Sequence, residues 1–493
     1  MSRRLLALLL SAAFLITCFA YPALAAEADP NTEENVWKDP ELSPNAIPWD
    51  EKHPELLDPS MLYAQSAILI EASTGEVLFE KNADEIMYPA STTKILTAYI
   101  ALNMADLEND RVTISQNAID LVPPTYAKIP VSAGEEVMMK DLIAATLVRS
   151  GNEGANAIAE YLSGSVYEFA DLMNQTAQML GCSVDTNFAN PSGAHDENHY
   201  TTVRDMAIIA RAAMKNDLLR QFVSKNTYEM PATDGVSGGH PQRTLVGGTY
   251  ILDVENTRYF YPDAIGIKTG FTNPAGYCFV GGAKRGGIEL ISVVFYTSKA
   301  GRWTDTRKMM EYGFTQVESI SPEALYAEEP RVIDIAGFSL EDGNHGELTL
   351  GIRAVDETKD MIIVGNREKI DLLRENFSQV SSIRWTREFR APVSVGDVMG
   401  VLTFYSETGD TAEYELVATR SIAMRENAPP TLEQIEAYTA ADENPFPRFS
   451  WDMLVPPVLV LLVLRTIHRF IRRHRKKRPK APVFKPVKKR YPR

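Results

Sequence analysis

The sequence predicts an α/β (α+β) domain of helices packed on an antiparallel sheet, followed by a small all-β domain and a C-terminal membrane anchor. Three observations carry this: strand signals at both ends of a long helix-rich stretch, short alternating runs after residue 325, and an apolar segment ahead of a dense basic tail. Strands, then helices, then strands is the order expected when a sheet is assembled from both ends of a domain and covered by helices. At 493 residues the chain exceeds one ordinary core, so two or three folded units are expected. Its 45% hydrophobic and 23% charged residues suit a water-soluble globular body and exclude collagen-like or wholly disordered sequence.

Residues 1–25 read as an export signal. Arg3 and Arg4 precede the apolar stretch Leu5 to Ala20, and Ala23-Leu24-Ala25 offers a small-x-small cleavage site. A retained N-terminal anchor and a lipoprotein cleaved before Cys18 are the alternatives, the latter disfavoured by Thr17. Residues 26–60, rich in Glu, Asp, Pro and Asn, read as a flexible spacer. Residues 61–318 form the predicted α+β domain. Ser66 to Ile70 and Glu76 to Phe79 flank Ala72-Ser73-Thr74-Gly75 as a hairpin, and the apolar run Ile95 to Leu102 predicts a buried helix over Ser91 to Leu102, with Pro89 just before its start. Two more helices, Asp141 to Arg149 and Glu153 to Leu162, are broken by Ser150-Gly151-Asn152. Thr201 or Thr202 is a candidate cap for another. Strands are expected at Gly266 to Gly270, Tyr277 to Val280 and Ile288 to Tyr296, with Lys284 to Gly287 as the turn between the last two.

Residues 325–423 predict the small β-rich domain, with runs at Leu348 to Val355, Met361 to Val364, Val398 to Tyr405 and Glu413 to Ala418. Residues 424–450 read as a linker and 451–471 as a membrane helix. Met453 to Leu464 is uncharged but spans only ~18 Å of helix against a hydrocarbon core of ~30 Å, so Arg465 and Arg469 must snorkel. A helix lying in the membrane interface is the alternative. The basic tail, 472–493, belongs on the cytoplasmic side, with the body outside.

Between the signal and Arg465 lie 34 Lys and Arg against 65 Asp and Glu, a formal charge of about −31. So acidic a body excludes nucleic acid as a partner. A substrate ending in a carboxylate must be met by a local cation. Cys182 and Cys278 remain after cleavage; an oxidising exterior permits one bridge between them, but two buried free thiols are expected, Cys278 as an apolar filler in a strand.

Three short motifs carry the chemistry: Ser91-Thr92-Thr93-Lys94, Ser150-Gly151-Asn152 and Lys268-Thr269-Gly270. Residues three apart on a helix share a face, so Ser91 and Lys94 can meet. A serine hydroxyl needs a base, and a buried lysine near a second cation such as Lys268 can act as one because its pKa falls. Free N–H groups at the helix start could hold an oxyanion. Ser150 could relay a proton to the leaving amine, Asn152 could bond the substrate amide, and Lys268 and Thr269 could meet its carboxylate. Each motif alone is weak; all three, in order and in the right setting, are specific.

The chain resembles the low-molecular-mass penicillin-binding proteins of the D-alanyl-D-alanine carboxypeptidase family, relatives of the serine β-lactamases. Besides the three motifs, Tyr88-Pro89-Ala90, Phe188-Ala189-Asn190-Pro191-Ser192-Gly193 and Ala391-Pro392-Val393 through Gly400 are similar to that family's segments, which cover roughly residues 60 to 423. The resemblance implies a β-lactamase/transpeptidase-like fold and a membrane-anchored, extracytoplasmic enzyme. It further implies that Ser91 attacks the peptidoglycan stem peptide between two terminal D-alanines, Lys94 is the base, the backbone N–H groups of Ser91 and Phe271 form the oxyanion hole, and β-lactams acylate Ser91. No cofactor or metal is expected. His195-Asp196-Glu197-Asn198-His199 has ligand-like spacing, but the resemblance implies a structural loop. Two positions depart from frequent family residues: Glu153 stands where Asp is common and Phe271 where some relatives carry His. A β-lactamase is the rival enzyme reading, disfavoured because no Glu-x-x-Leu-Asn loop is present. A non-catalytic penicillin sensor is the rival from another class.

Overall fold

The computed structural model describes residues 38–42, 47–235, 238–356, 361–406, 409–426, 465 and 469. The expected signal peptide, the start of the spacer, most of the linker, all but two residues of the membrane helix and the basic tail lie outside them. Among the described residues no helix is long and apolar enough to cross a membrane.

The central sheet contains β1 (Ser66–Glu71), β2 (Val77–Lys81), β3 (Ala264–Thr272), β4 (Gly276–Arg285) and β5 (Ile288–Thr297) in the order β2-β1-β5-β4-β3. Every neighbouring pair is antiparallel, and β1 meets β5 in the register Ser66 to Phe295 through Glu71 to Leu290. The sheet is therefore drawn from both ends of the segment, as the order of signals predicts. Gly286 and Gly287 make the β4–β5 turn with φ of 56° and 85°, angles that cost glycine nothing.

Side chains alternate across a strand, and on β1 both sets are buried. Ile68 and Ile70 enter a core with α1 (Lys94–Met104), α2 (Met139–Val148), α3 (Asn152–Ser163), α4 (Val166–Leu180) and α5 (Val203–Ala213). Ala67 and Leu69 enter a second core under α6 (Gly301–Gln316), where Trp303 packs edge-on against Phe279 at 4.9 Å. Helices thus cover both faces, and α1, apolar all round, sits in the middle of the larger core. Truncating a buried aromatic such as Trp303 costs about 3–5 kcal/mol. Thr202 caps α5, its hydroxyl accepting the Asp205 N–H.

A second five-stranded sheet runs in the order β6-β7-β10-β9-β8, from β6 (Val332–Asp334), β7 (Glu347–Ala354), β8 (Ser381–Trp385), β9 (Val398–Tyr405) and β10 (Thr411–Ala418). By compactness the chain divides into a unit of Met1–Glu329, Ile352–Arg384 and Val401–Glu415, and a unit of Pro330–Gly351, Trp385–Gly400 and Leu416–Arg493.

Two expectations are corrected. Residues 325–423 are not purely β, because Arg367–Glu375 forms helix α7, capped by the Asn366 side chain. Its sequence Arg-Glu-Lys-Ile-Asp-Leu-Leu-Arg-Glu is amphipathic, with Ile370 and Leu373 on one face, but it is shorter than the window in which a helical period stands out. Ser91 lies in a 3-10 turn, Ala90–Thr93, that leads into α1, and not in the α-helix itself. The left-handed Ala90, φ 47°, follows Pro89 and delays the start of regular helix. Cys182 and Cys278 are free thiols, Cys278 fully buried in β4.

Candidate active site

The 3-10 turn and first residue of α1 bring Ser91 and Lys94 together. The Lys94 Nζ lies 3.1 Å from Ser91 Oγ, 2.7 Å from Asn152 Oδ1 and 2.5 Å from the Ser192 carbonyl oxygen. Lys94 is fully buried. Burial, and then the neighbouring Lys268 ammonium, hold its pKa well below the usual lysine range, against the opposing pull of the Glu153 carboxylate. A neutral amine has two hydrogens and one lone pair. The amide and carbonyl oxygens can only accept, so they take the two N–H bonds and leave the lone pair for the Ser91 hydroxyl proton.

Asn152 begins α3 and is held by its own backbone N–H and side-chain Nδ2, both donating to the Ala127 carbonyl at 3.2 and 2.8 Å. Its Oδ1 is committed to Lys94, so this amide first positions the base; one N–H of its two is left for a substrate on the cleft wall. Gly151 must be glycine, since a Cβ would lie 2.6 Å from the Ile129 side chain. Ser150 lines the cleft with a left-handed φ of 65°, a conformation that costs a non-glycine residue on the order of 1 kcal/mol or more.

Strand β3 forms the opposite wall. Gly270 lets it lie against the nucleophile turn: a Cβ there would sit 3.0 Å from the Pro89 carbonyl oxygen and 3.1 Å from the Ser91 nitrogen. Phe271 lines the cleft together with Ser91, its ring tilted by 33° against Tyr277 with centroids 4.4 Å apart. Thr269 lines the cleft. Lys268 does not: it is buried, its Nζ donating to the Thr269 carbonyl at 3.1 Å. Burial, then the Arg302 guanidinium, push its pKa down to about 7. Burial also raises the Glu153 carboxyl.

The cleft, of about 450 Å³, is lined by Ser91, Ser150, Asn152, Thr269, Phe271 and Arg302 among others. Sequence reasoning missed Arg302. Its guanidinium lies over the Tyr277 and Trp303 rings at 4.8 and 4.4 Å, and its buried Nε has no hydrogen-bond partner among the described residues. The acidic body's need for a local cation was the available signal, but a single arginine at a helix start carries no pattern.

The loop from Asn190 to His199 closes the floor. Asn190 Oδ1 accepts the N–H groups of Ser192, Gly193 and Ala194, shaping the turn that presents the Ser192 carbonyl to Lys94. Gly193 packs against the nucleophile turn so closely that a Cβ would lie 1.8 Å from the Ala90 carbonyl oxygen. His199 has both ring nitrogens in contacts within the protein, at 2.8 Å from Thr93 Oγ1 and 3.0 Å from the Ala189 nitrogen. No cluster of metal-ligating side chains occurs among the described residues.

The family model described as D-alanyl-D-alanine carboxypeptidase matches residues 53–299. The chain is 34% identical over 360 residues to D-alanyl-D-alanine carboxypeptidase DacF of Bacillus subtilis (strain 168), a match covering 72% of this chain and 85% of that one. It is 28% identical over 371 residues to D-alanyl-D-alanine carboxypeptidase DacA of Escherichia coli (strain K12), covering 73% and 83%. Among solved structures, the Streptomyces K15 DD-transpeptidase is 30% identical, with 52% of this chain and 98% of that chain covered and a TM-score of 0.48. Ser91 and Lys94 are in contact in the cleft, and the family model and the Bacillus subtilis relative both match over the segment that builds it: the chain belongs to the D-alanyl-D-alanine carboxypeptidase family of serine peptidases.

Proposed function

We propose that this enzyme removes the terminal D-alanine from peptidoglycan stem pentapeptides through an acyl-enzyme on Ser91. The observation that carries the reading is the Lys94 amine: fully buried, depressed in pKa, and 3.1 Å from the Ser91 hydroxyl. Ser91 Oγ attacks the penultimate D-alanine carbonyl while its proton passes to Lys94. The developing oxyanion is held by the backbone N–H groups of Ser91 and Phe271. Ser150 passes the proton on to the departing amine, D-alanine leaves, and water then hydrolyses the Ser91 ester. The substrate's acyl-side amide is met by the remaining Asn152 N–H.

The terminal carboxylate is met by Thr269 and the Arg302 guanidinium, with Lys268 acting from beneath as a source of positive potential. Losing one charge-assisted contact costs about 1.5–3 kcal/mol. Arg302→Leu is therefore expected to weaken the non-covalent step for peptide and penicillin alike by about 10- to 100-fold, read as a rise in KM with kcat little changed. A KM equal to that of the unmodified enzyme would remove Arg302 from this role.

In this reading the chain is exported, works on the outer face of the membrane and is tethered through 451–471, which is supported by the basic tail and the uncharged run ahead of it. β-Lactams acylate Ser91 in place of substrate. The test is intact-mass measurement of the protein with penicillin, together with D-alanine release from a pentapeptide ending in D-Ala-D-Ala. A single adduct that disappears in Ser91→Ala, with D-alanine released only by the unmodified chain, is expected. An adduct on Ser91→Ala, or no release by the unmodified chain, defeats the proposal.

A further inference from the structure

The 195–199 segment has histidines at ligand-like spacing, yet the mechanism above uses neither. His199 is fully buried, 2% exposed, and its hydrogen bonds can be oriented without ambiguity. The Ala189 backbone N–H can only donate, so Nδ1 of His199 must be the bare nitrogen. A neutral ring then carries its proton on Nε2, which donates to Thr93 Oγ1. Thr93 in turn donates to the Ala90 carbonyl at 2.8 Å, an oxygen that can only accept. A continuous run of donors therefore leads from Ala189 through His199 and Thr93 to Ala90.

Ala90 is the residue before the nucleophile and sits at φ 47°. Its carbonyl is also the atom on which Gly193 closes. The same loop holds α1 again through Thr97 Oγ1, which donates to the Pro191 carbonyl at 2.6 Å, and holds the base through the Ser192 carbonyl. Burial, against the smaller opposing pull of the Asp196 carboxylate, pushes the His199 ring down to about 3, so it stays neutral and the donor run keeps its direction at neutral pH.

We infer that His199 is a positioning residue of the acylation step: acting through Thr93, it fixes the left-handed Ala90 turn that aims Ser91 Oγ at Lys94. The inference rests on the reading of Ser91 as nucleophile. It says nothing of binding, since His199 does not line the cleft. Displacing a reacting group by about 1 Å costs on the order of 100-fold in rate.

The discriminating pair is His199→Phe and His199→Gln. Phenylalanine keeps the volume and the edge-on contact with Phe188, centroids 5.5 Å apart in the native pair, but cannot hydrogen-bond. Glutamine offers one acceptor and one donor, as the neutral imidazole does. Stopped-flow acylation by a fluorescent penicillin is expected to slow by about 100-fold in His199→Phe with the non-covalent dissociation constant unchanged, and to recover most of that loss in His199→Gln. Acylation at the unmodified rate in His199→Phe, or equal loss in both variants, overturns the inference. Should His199→Phe not fold, Thr93→Val interrupts the same run at its other end: a matching loss supports the clamp, and an unmodified rate overturns it. Failure of the unmodified chain to form any adduct would instead defeat the assignment of Ser91.

Discussion

Lys94→Met is expected to acylate with penicillin about 10²–10⁴ times more slowly than the unmodified enzyme, the usual contribution of a positioned general base. Methionine fills the buried space without an amine, so the serine hydroxyl loses its proton acceptor. The Asn152 and Ser192 oxygens lose their donor as well. In the unmodified enzyme the rate rises with pH as Lys94 deprotonates, a step that burial and Lys268 bring well below the usual lysine range. Stopped-flow acylation from pH 5 to 10 checks both points. A Lys94→Met enzyme that acylates at the unmodified rate would remove the lysine from the mechanism.

Lys268→Met is expected to gain stability while losing activity. A lysine whose pKa falls to about 7 on folding binds fewer protons in the native chain than in the unfolded one between pH 7 and its ordinary value. Native stability therefore rises with pH across that window, and the penalty is fully present below pH 7. Removing the amine relieves on the order of 3–5 kcal/mol at pH 6, a gain that shrinks towards zero near pH 10. Denaturant unfolding of both proteins at pH 6 and pH 9 measures it; a larger gain at pH 9 would invert the sign and refute the account. The same substitution removes a cation that lowers Lys94, so the rise of acylation with pH should move to higher pH. A buried cation kept at a cost in stability is the signature of a functional site.

The parts of this site that were legible are those built from local pattern. Ser91 and Lys94 are three residues apart, Ser150-Gly151-Asn152 interrupts two amphipathic stretches, and Lys268-Thr269-Gly270 sits in an apolar run bounded by glycine. The helix-covered sheet followed from the order of strand and helix signals, and both of its ends were found. What was not legible depends on distant partners. Thr93 and His199 are 106 residues apart, and nothing near either predicts their contact. Histidines four apart invited a metal reading, whereas tertiary burial decides their use. Lys268 was expected at the cleft surface; it is buried, and Thr269 and Arg302 line the cleft instead, which is why the carboxylate contact is proposed for them. Helix α7, nine residues between strand-like runs, is too short for its helical period to stand out from its neighbours.

The pairing of Ser66 with Phe295 has a consequence in time. A chain threaded through a membrane amino end first carries its reactive serine and amine out early. Lys268, which lowers the amine's proton affinity, and Phe271, proposed for the oxyanion hole, come from a strand made nearly two hundred residues later. Contacts so remote in sequence form late and slowly. If the chain is exported as proposed, the nascent chain is therefore expected not to react with penicillin until residue 297 has been made.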